Sequence, residues 1–464
     1  MIPQARLWYR TRSHDDDDQA PRFRVDCFDA ESADGGSLNQ DFRAEHHLRT
    51  MPLCKGADPN VSIFYRCHRI EGPGVDDGDN GDSPSSSSSL SSSKEEHRVL
   101  LVTGLACSHE VWNGELALIR ERYARDAVPF GGRLRVCTFD NRGIGQSTSP
   151  EDARAYTIER MARDALAVLD HLGWRSAHVV GHSMGAMIAT RLALLSEDVV
   201  ASLTLISATR SFYDLWPRTF RGFFLFLSMM LTNSVDIESR AAMDLKCHFT
   251  QDYLEEEIAS EDALSTSHDD ATTDAGSDTS SLKSTASPVS PLGMGHGAGL
   301  GGPLLKRKHS LKQEYVRQAT NPRNKQSPHG LGGQLYAVRH HSVTCGEMEK
   351  LNRMTFPWLM IHGTHDVIIP WQAGQNFFLR LKHRRRCKLL LLHGAHFISR
   401  ERGEDVVDAL LQQIHEAIAQ THATQSEREG ETQGESENEG GRERGRERER
   451  GRERERGRGR ERGK

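Results

Sequence analysis

The stretch AHVVGHSMGAMIATRLALLS, residues 177–196, changes its apolar period within a few residues. It begins as a continuous apolar run of strand length and ends as a longer run of small and apolar residues at helical spacing. Ser183 stands at the change, between Gly181 and Gly185, in a G-x-S-x-G. A backbone that turns so sharply from strand into helix leaves little room for neighbouring Cβ atoms, and the two glycines supply it. Strand, tight turn and helix in direct succession commit the chain to a fold in which a buried strand feeds a covering helix.

Much of the remaining sequence repeats that alternation. Strand-length apolar runs occur at VSIFYR (61–66), HRVLLVTG (97–104), RLRVCTFD (133–140), VASLTLIS (200–207), FPWLMIHG (356–363) and CKLLLLHG (387–394). Helical patterns lie at TIERMARDALAVLDHL (157–172), QAGQNFFLRLK (372–382) and EDVVDALLQQIHEAIAQ (404–420). In the first of these, Met161, Ala165, Leu166, Val168 and Leu169 share one face. Strands alternating with helices predict the α/β class, with a mostly parallel, doubly wound sheet covered on both faces. Functional residues of such sheets gather at the carboxyl ends of the strands.

Three strand ends carry chemistry. Ser183 follows the first apolar run, Asp366 follows WLMIHG, and His396 follows KLLLLHG. In the proposed roles His396 takes the Ser183 proton and Asp366 orients the imidazole, and the chain order Ser, Asp, His separates this arrangement from the chymotrypsin and subtilisin orders. The Met184 N–H, opening the new helix, is placed to face a developing oxyanion. The glycine-rich NRGIGQS (141–147) fits neither a Walker A loop nor a dinucleotide fingerprint, so Asp140 and Arg142 are expected to brace a loop beneath the site. His182, His362, His365, His393 and His396 show no metal-ligand spacing, and neither metal nor cofactor is expected. Cys107 is expected to be an inert thiol.

Composition sets the limits of the foldable part. Residues 76–96, 260–303 and the tail beyond 420 are too polar and too poor in aromatics to offset the entropy of ordering. The net charge of −5 points to no polyanionic partner, so nucleic acid is not an obligatory one. Residues 441–464 alternate Arg with Glu and Gly, carrying twelve cations and six anions, and read as a solvated tail capable of weak RNA or protein contacts. Eight cysteines, scattered without a CxxC pair, read as reduced thiols. With no apolar leader, and with residues 220–235 too short to span a bilayer, a cytoplasmic protein without a transmembrane segment is expected.

FDNRGIGQS (139–147), LLVTGLACSHEVW (100–112), DALAVLDHLGWRSAHVVGHSMGAMIA, IHGTHDVIIP and GAHFISRERGEDV together resemble the α/β-hydrolase fold enzymes, in particular the capped esterase and lipase-like group with enol-lactonases, methylesterases and prolyl aminopeptidases. The resemblance implies that the backbone N–H of Leu105 joins that of Met184 in an oxyanion hole. Thr103 stands where many members of the group have histidine before the glycine. It further implies an irregular segment over 1–55, a first core part over 56–209, a helical cap over 210–353, a second core part over 354–420 and a tail over 421–464. Trp112, His182, Phe212, Trp216 and Phe397 are the candidate substrate-binding residues. The activity implied is that of a serine hydrolase acting on a small carboxylic ester or related acyl compound through an acyl-enzyme. Amide, thioester and carbon–carbon bond hydrolysis use the same residues, and a ligand-binding receptor or scaffold on this fold is the alternative from another class.

Overall fold

The computed structural model describes residues 53–71, 95–125, 130, 132–215, 236–259, 304–381 and 386–423. Most of the expected inserts and tail, and the apolar stretch 220–235, lie outside them. Eight strands form one sheet: β1 (Leu53–Lys55), β2 (Ser62–Ile70), β3 (Glu96–Val102), β4 (Arg133–Phe139), β5 (Ala177–His182), β6 (Val200–Ile206), β9 (Trp358–Gly363) and β10 (Cys387–Leu392), in the order β1-β2-β4-β3-β5-β6-β9-β10. A separate antiparallel pair joins β7 (Glu257–Ala259) to β8 (Leu304–Lys306). From β4 to β10 every pairing is parallel, while β1 and β2 run antiparallel at one edge. The mostly parallel sheet expected from the alternation is present. β1 occupies the end of the segment expected to be irregular.

The continuous apolar runs are explained by burial on both faces. Leu100, Val102, Cys137, Phe139, Val179, Leu203, Leu205, Trp358 and Met360 point to one side, and Val99, Leu101, Leu134, Val136, Val180, Ile206, Leu359 and Ile361 to the other. Two helices cover the first side, α2 (Ile158–His171) through Met161, Ala165, Val168 and Leu169, and α3 (Met184–Leu195) through Met187, Ile188 and Leu192. α1 (Asn113–Ala124) and the last helix, α11 (403–423), cover the second through Leu116, Ile119, Tyr123, Val407, Leu411 and Ile414. Between β6 and β9 lie α4 (Ile237–His248), α5 (Gln251–Glu255), α6 (Arg307–Thr320), α7 (Pro328–Arg339) and α8 (Cys345–Arg353). α9 (Trp371–Arg380) and the short α10 (Ile398–Glu401) follow β9 and β10.

The turn after β4 is held by charge pairing at the protein's interior. Arg142, fully buried, donates from Nε and Nη2 to both oxygens of Asp164 (2.6 and 2.7 Å), and from Nη1 to Asp58 (2.7 Å) and the Ala155 carbonyl (2.6 Å). Asp164 accepts also from the Ala57 N–H at 2.7 Å. These bonds tie α2, the β1–β2 loop and the post-β4 turn together, and they commit four of the five guanidinium N–H groups to the protein's own acceptors. Removing one partner of such a pair strands a buried charge at a cost of about 3–5 kcal/mol. Asp164→Ala is therefore expected to lower stability by that order, read as a fall in the urea midpoint with an unchanged m value.

Candidate active site

Ser183 follows β5 with φ 56° and ψ −117°, a left-handed conformation that side chains rarely adopt. Its N–H donates to the Ile206 carbonyl (2.9 Å), and its carbonyl accepts from Ala186 and Met187 to start α3. The flanking glycine is required by contact as well as by strain. A Cβ on Gly185 would lie 2.1 Å from the Val102 carbonyl oxygen, so α3 presses directly onto the end of β3. The other two non-glycine residues with positive φ among those described, Ala106 and Ser207, follow β3 and β6 at the same edge of the sheet. Strain of this kind gathers where surrounding structure over-determines the backbone.

His396 Nε2 lies 3.0 Å from Ser183 Oγ, and its Nδ1 lies 2.8 Å from Asp366 Oδ2. The structure thus brings together the three residues that the sequence placed on separate strand ends. Asp366 Oδ1 accepts from the N–H groups of Ile368 (2.9 Å) and Ile369 (2.8 Å), fixing the carboxylate in the turn after β9. Burial opposes its charge, but His396 and the His362 hydrogen bond outweigh burial and hold the carboxyl well below the usual carboxylate range. Ser207 Oγ and His182 Nε2 both donate to the His396 carbonyl, at 3.1 and 2.9 Å. The loops that carry Asp366 and His396 are joined by the His365 N–H to the Gly394 carbonyl (2.8 Å).

The loop after β3 is fixed from two sides. Asn141 Nδ2 donates to the carbonyl and to the hydroxyl of Thr103, both at 3.0 Å, so threonine at this position has its own supporting bonds. Asp140 Oδ1 accepts from the His109 N–H (2.7 Å) and pairs with its Nδ1 (2.8 Å), as befits a loop brace. The Ala106 N–H is taken by Oε1 of Gln334 on α7 (2.9 Å), whose Nε2 donates to the Arg142 carbonyl (3.0 Å). Gln334 is wholly buried, and sequence reasoning missed it. Its only sequence signal was a polar residue on the inward side of α7, whose buried positions include Gly330, Gly333, Gln334 and Ala337. Close approach brings it there, since a Cβ on Gly330 would lie 2.0 Å from the Gly143 carbonyl oxygen.

Glu401 performs the matching task on the His396 side. It accepts from the Ala395 N–H (2.8 Å), the Thr250 N–H (3.0 Å) and the Thr250 hydroxyl (2.7 Å), binding the α4–α5 joint to the His396 loop. That joint carries His248, whose Nδ1 donates to the Asp244 carbonyl (2.6 Å) and whose ring lies 5.7 Å from His396 and 4.8 Å from Phe397. Gln334 and His248 stand outside the quoted motifs, and Glu401, although it lies within GAHFISRERGEDV, takes its role from Thr250, which is distant in sequence.

The expected substrate-binding residues fare differently. His182 stacks on Phe397 at 5.1 Å, and both adjoin His396 at 5.0 and 6.1 Å. Trp112 is a correction: its ring is buried on the α1/α11 side of the sheet beside Leu101, Ile119, Val180 and Val406, because the turn 109–112 folds under the sheet rather than over the site. Phe212 bonds through its N–H to the His341 carbonyl (3.1 Å) and meets Tyr213 (6.4 Å), and no described contact joins it to Ser183, Asp366 or His396. Trp216 lies outside the described residues. Desolvation pushes the Cys107 thiol up to about 12, which leaves it protonated and unreactive at neutral pH.

Residues 97–237 match a family model described as the alpha/beta hydrolase fold. An esterase (EaEST) from Exiguobacterium antarcticum superposes with a TM-score of 0.50 at 15% identity, over 79% of this chain and 99% of that one. This chain carries the α/β-hydrolase fold. Among curated relatives, "Putative carbamate hydrolase RutD" of Variovorax paradoxus (strain S110) is 37% identical over 110 residues, 24% of this chain and 37% of that protein. "Putative non-heme bromoperoxidase BpoC" of Mycobacterium tuberculosis (strain ATCC 25618 / H37Rv) is 42% identical over 80 residues, 17% of this chain and 29% of that protein. The chain thus spans between 29% and 37% of the length of these two curated relatives.

In this α/β-hydrolase-fold site the imidazoles around His396 are held neutral. Burial, with His396 beside it, pulls His182 from 6.5 down to about 3, and the same two causes pull His248 to about 4. Below pH 6.5 the unfolded chain therefore binds more protons than the folded one, and stability present at neutral pH is lost as pH falls toward these values. Each such ring contributes up to about 1.4 kcal/mol per pH unit across that window. His182→Gln, which keeps an amide donor but does not titrate, should flatten the fall of the urea midpoint between pH 6.5 and 4. An unchanged slope would show that His182 is not held neutral.

Proposed function

We propose that this protein is a serine hydrolase that cleaves a carboxylic ester or a related acyl compound through an acyl-enzyme. The observation that carries this is the continuous line from Ser183 Oγ to His396 to Asp366, with hydrogen bonds of 3.0 and 2.8 Å. Ser183 Oγ attacks the acyl carbon as its proton passes to His396 Nε2. The same nitrogen then returns that proton to the leaving alkoxide, and water repeats the sequence to free the acid. Asp366, kept ionised, fixes an imidazole proton on His396 Nδ1 and stabilises the imidazolium that forms.

The N–H groups of Leu105 and Met184 are the proposed oxyanion donors. Met184 is the first residue of α3, and Leu105 adjoins Gly104, where a Cβ would lie 3.4 Å from Ser183 Cβ. Because the neighbouring Ala106 N–H is committed to Gln334, Gln334 positions this loop without touching substrate. The helices between β6 and β9 serve as the cap, with His182, His248 and Phe397 forming the wall beside the nucleophile.

A fluorophosphonate probe should label the wild-type chain at Ser183, and Ser183→Ala should abolish labelling and lower esterase kcat by on the order of 10⁴-fold or more. Equal labelling of both proteins would overturn the assignment. A panel of p-nitrophenyl esters, lactones and anilides then separates ester from amide substrates. Gln334→Ala should lower kcat by roughly 10- to 100-fold with little change in KM, less than the 10² to 10³ lost with an oxyanion donor itself. A rise in KM at constant kcat would instead place Gln334 in ground-state binding.

A further inference from the structure

Two cysteines that lie 70 positions apart in the sequence are neighbours in the sheet. Cys67 on β2 and Cys137 on β4 stand directly opposite each other in the antiparallel ladder. The Asp140 N–H donates to the Phe64 carbonyl (2.9 Å), and these two residues continue the register one place beyond the Tyr65–Phe139 pair. That bond sets the phase of the ladder, so Cys67 and Cys137, three pairs further on, form a non-hydrogen-bonded pair. Opposed residues of this kind have Cα atoms about 4.5 Å apart and their side chains close together. A disulfide needs Cα atoms roughly 4.4–6.8 Å apart, so the ladder already meets the requirement without backbone movement.

We propose that Cys67 and Cys137 are a site of reversible cross-strand disulfide formation. Cys137 is fully buried, whereas Cys67 is exposed, because β1 pairs with β2 only from Ser62 to Phe64 and leaves the stretch beyond without a described partner strand on that side. A small disulfide in solution therefore reaches Cys67 first. The hydrogen bond from the Cys137 thiol and the nearby Arg135 guanidinium favour the Cys67 thiolate, the reactive form, while burial and that same bond push Cys137 up. The Cys67 thiolate attacks one sulfur of the small disulfide, forming a mixed disulfide and releasing one thiolate. Cys137 then gives its proton to solvent, and its sulfur displaces the second thiolate from Cys67. Two protein thiols are oxidised and one small disulfide is reduced to two thiols, which balances the exchange.

The test uses the full chain, equilibrated in graded mixtures of oxidised and reduced glutathione, alkylated, and mapped by peptide mass spectrometry without reduction. The expected result is a single linkage between the Cys67 and Cys137 peptides that dithiothreitol reverses. Exposed Cys345 supplies an internal control and should carry only glutathione. Cys137→Ala should trap Cys67 as its glutathione adduct, and Cys67→Ser should leave Cys137 unmodified. Closing so long a loop should also raise the Tm of the oxidised wild type by roughly 5–10 °C. The wild-type map decides the matter even where a variant fails to fold. Persistence of the adduct on Cys67 in the wild type, linkage of Cys67 to Cys54, or independent alkylation of both thiols under oxidising conditions would overturn the proposal.

Discussion

A would-be Cβ on Gly185 lies 2.1 Å from the carbonyl oxygen of Val102, and much of the site follows from that approach. α3 can begin where it does only because it rests on the end of β3, and its first residue is Met184 only because Ser183 accepts a left-handed backbone. The cost of that strain is met by the packing of Met184, Ala186, Met187 and Ile188, each with at most 2% of its surface exposed. Relaxing the turn would lift these side chains out of the core. The serine is therefore held half-buried in a strained backbone conformation by a helix that has no other place to go.

The polar groups around His396 obey a second constraint. A buried imidazole that changes charge, as the proposed reaction requires of His396, needs a fixed anion on one side and no competing cation on the other. Asp366 supplies the anion, and the depressed basicity of His182 and His248 keeps the adjacent rings uncharged. The helices between β6 and β9 reinforce this by fastening at two points, Gln334 on the Ser183 side and Thr250–Glu401 on the His396 side. Both fastenings grip backbone N–H groups of the loops that flank the site. The same helices thus hold both loops in place.

What could be read from the sequence was what repeats locally. Apolar runs gave the strands and their burial on both faces, and the strand ends gave Ser183, Asp366 and His396. α1 escaped notice because buried Glu115 and half-exposed Leu118 blur its stripe, although Leu116, Ile119 and Tyr123 are its core. Trp112 was misplaced since an aromatic residue just after a strand end can turn either above the sheet or beneath it, and its neighbours in sequence do not decide which. Gln334, Glu401 and the Cys67–Cys137 pairing were illegible for one shared reason. Each depends on register or close approach between segments whose partner is fixed only when the sheet and the helices above it have assembled.

The elements that flank the long polar insertions explain how the fold accommodates them. Residues 72–94 run from the end of β2 to the start of β3, and parallel strands put the start of β3 at the opposite end of the sheet from Ser183. β7 and β8, which flank residues 260–303, instead adjoin the segment that holds His396, where a long insertion would be expected to disturb the helices around it. The two strands meet that difficulty as a stem, pairing Glu257 with Lys306 and Ala259 with Leu304. Lys306 and Lys308 both bond Glu255, and Arg307 bonds Glu256 while its guanidinium covers the Tyr253 ring at 4.4 Å. Because closure entropy grows only with the logarithm of loop length, a stem that fixes both ends makes the length between them nearly immaterial. Tyr253 in turn bonds the Arg400 carbonyl, so the stem is continuous with the segment that holds His396 in place.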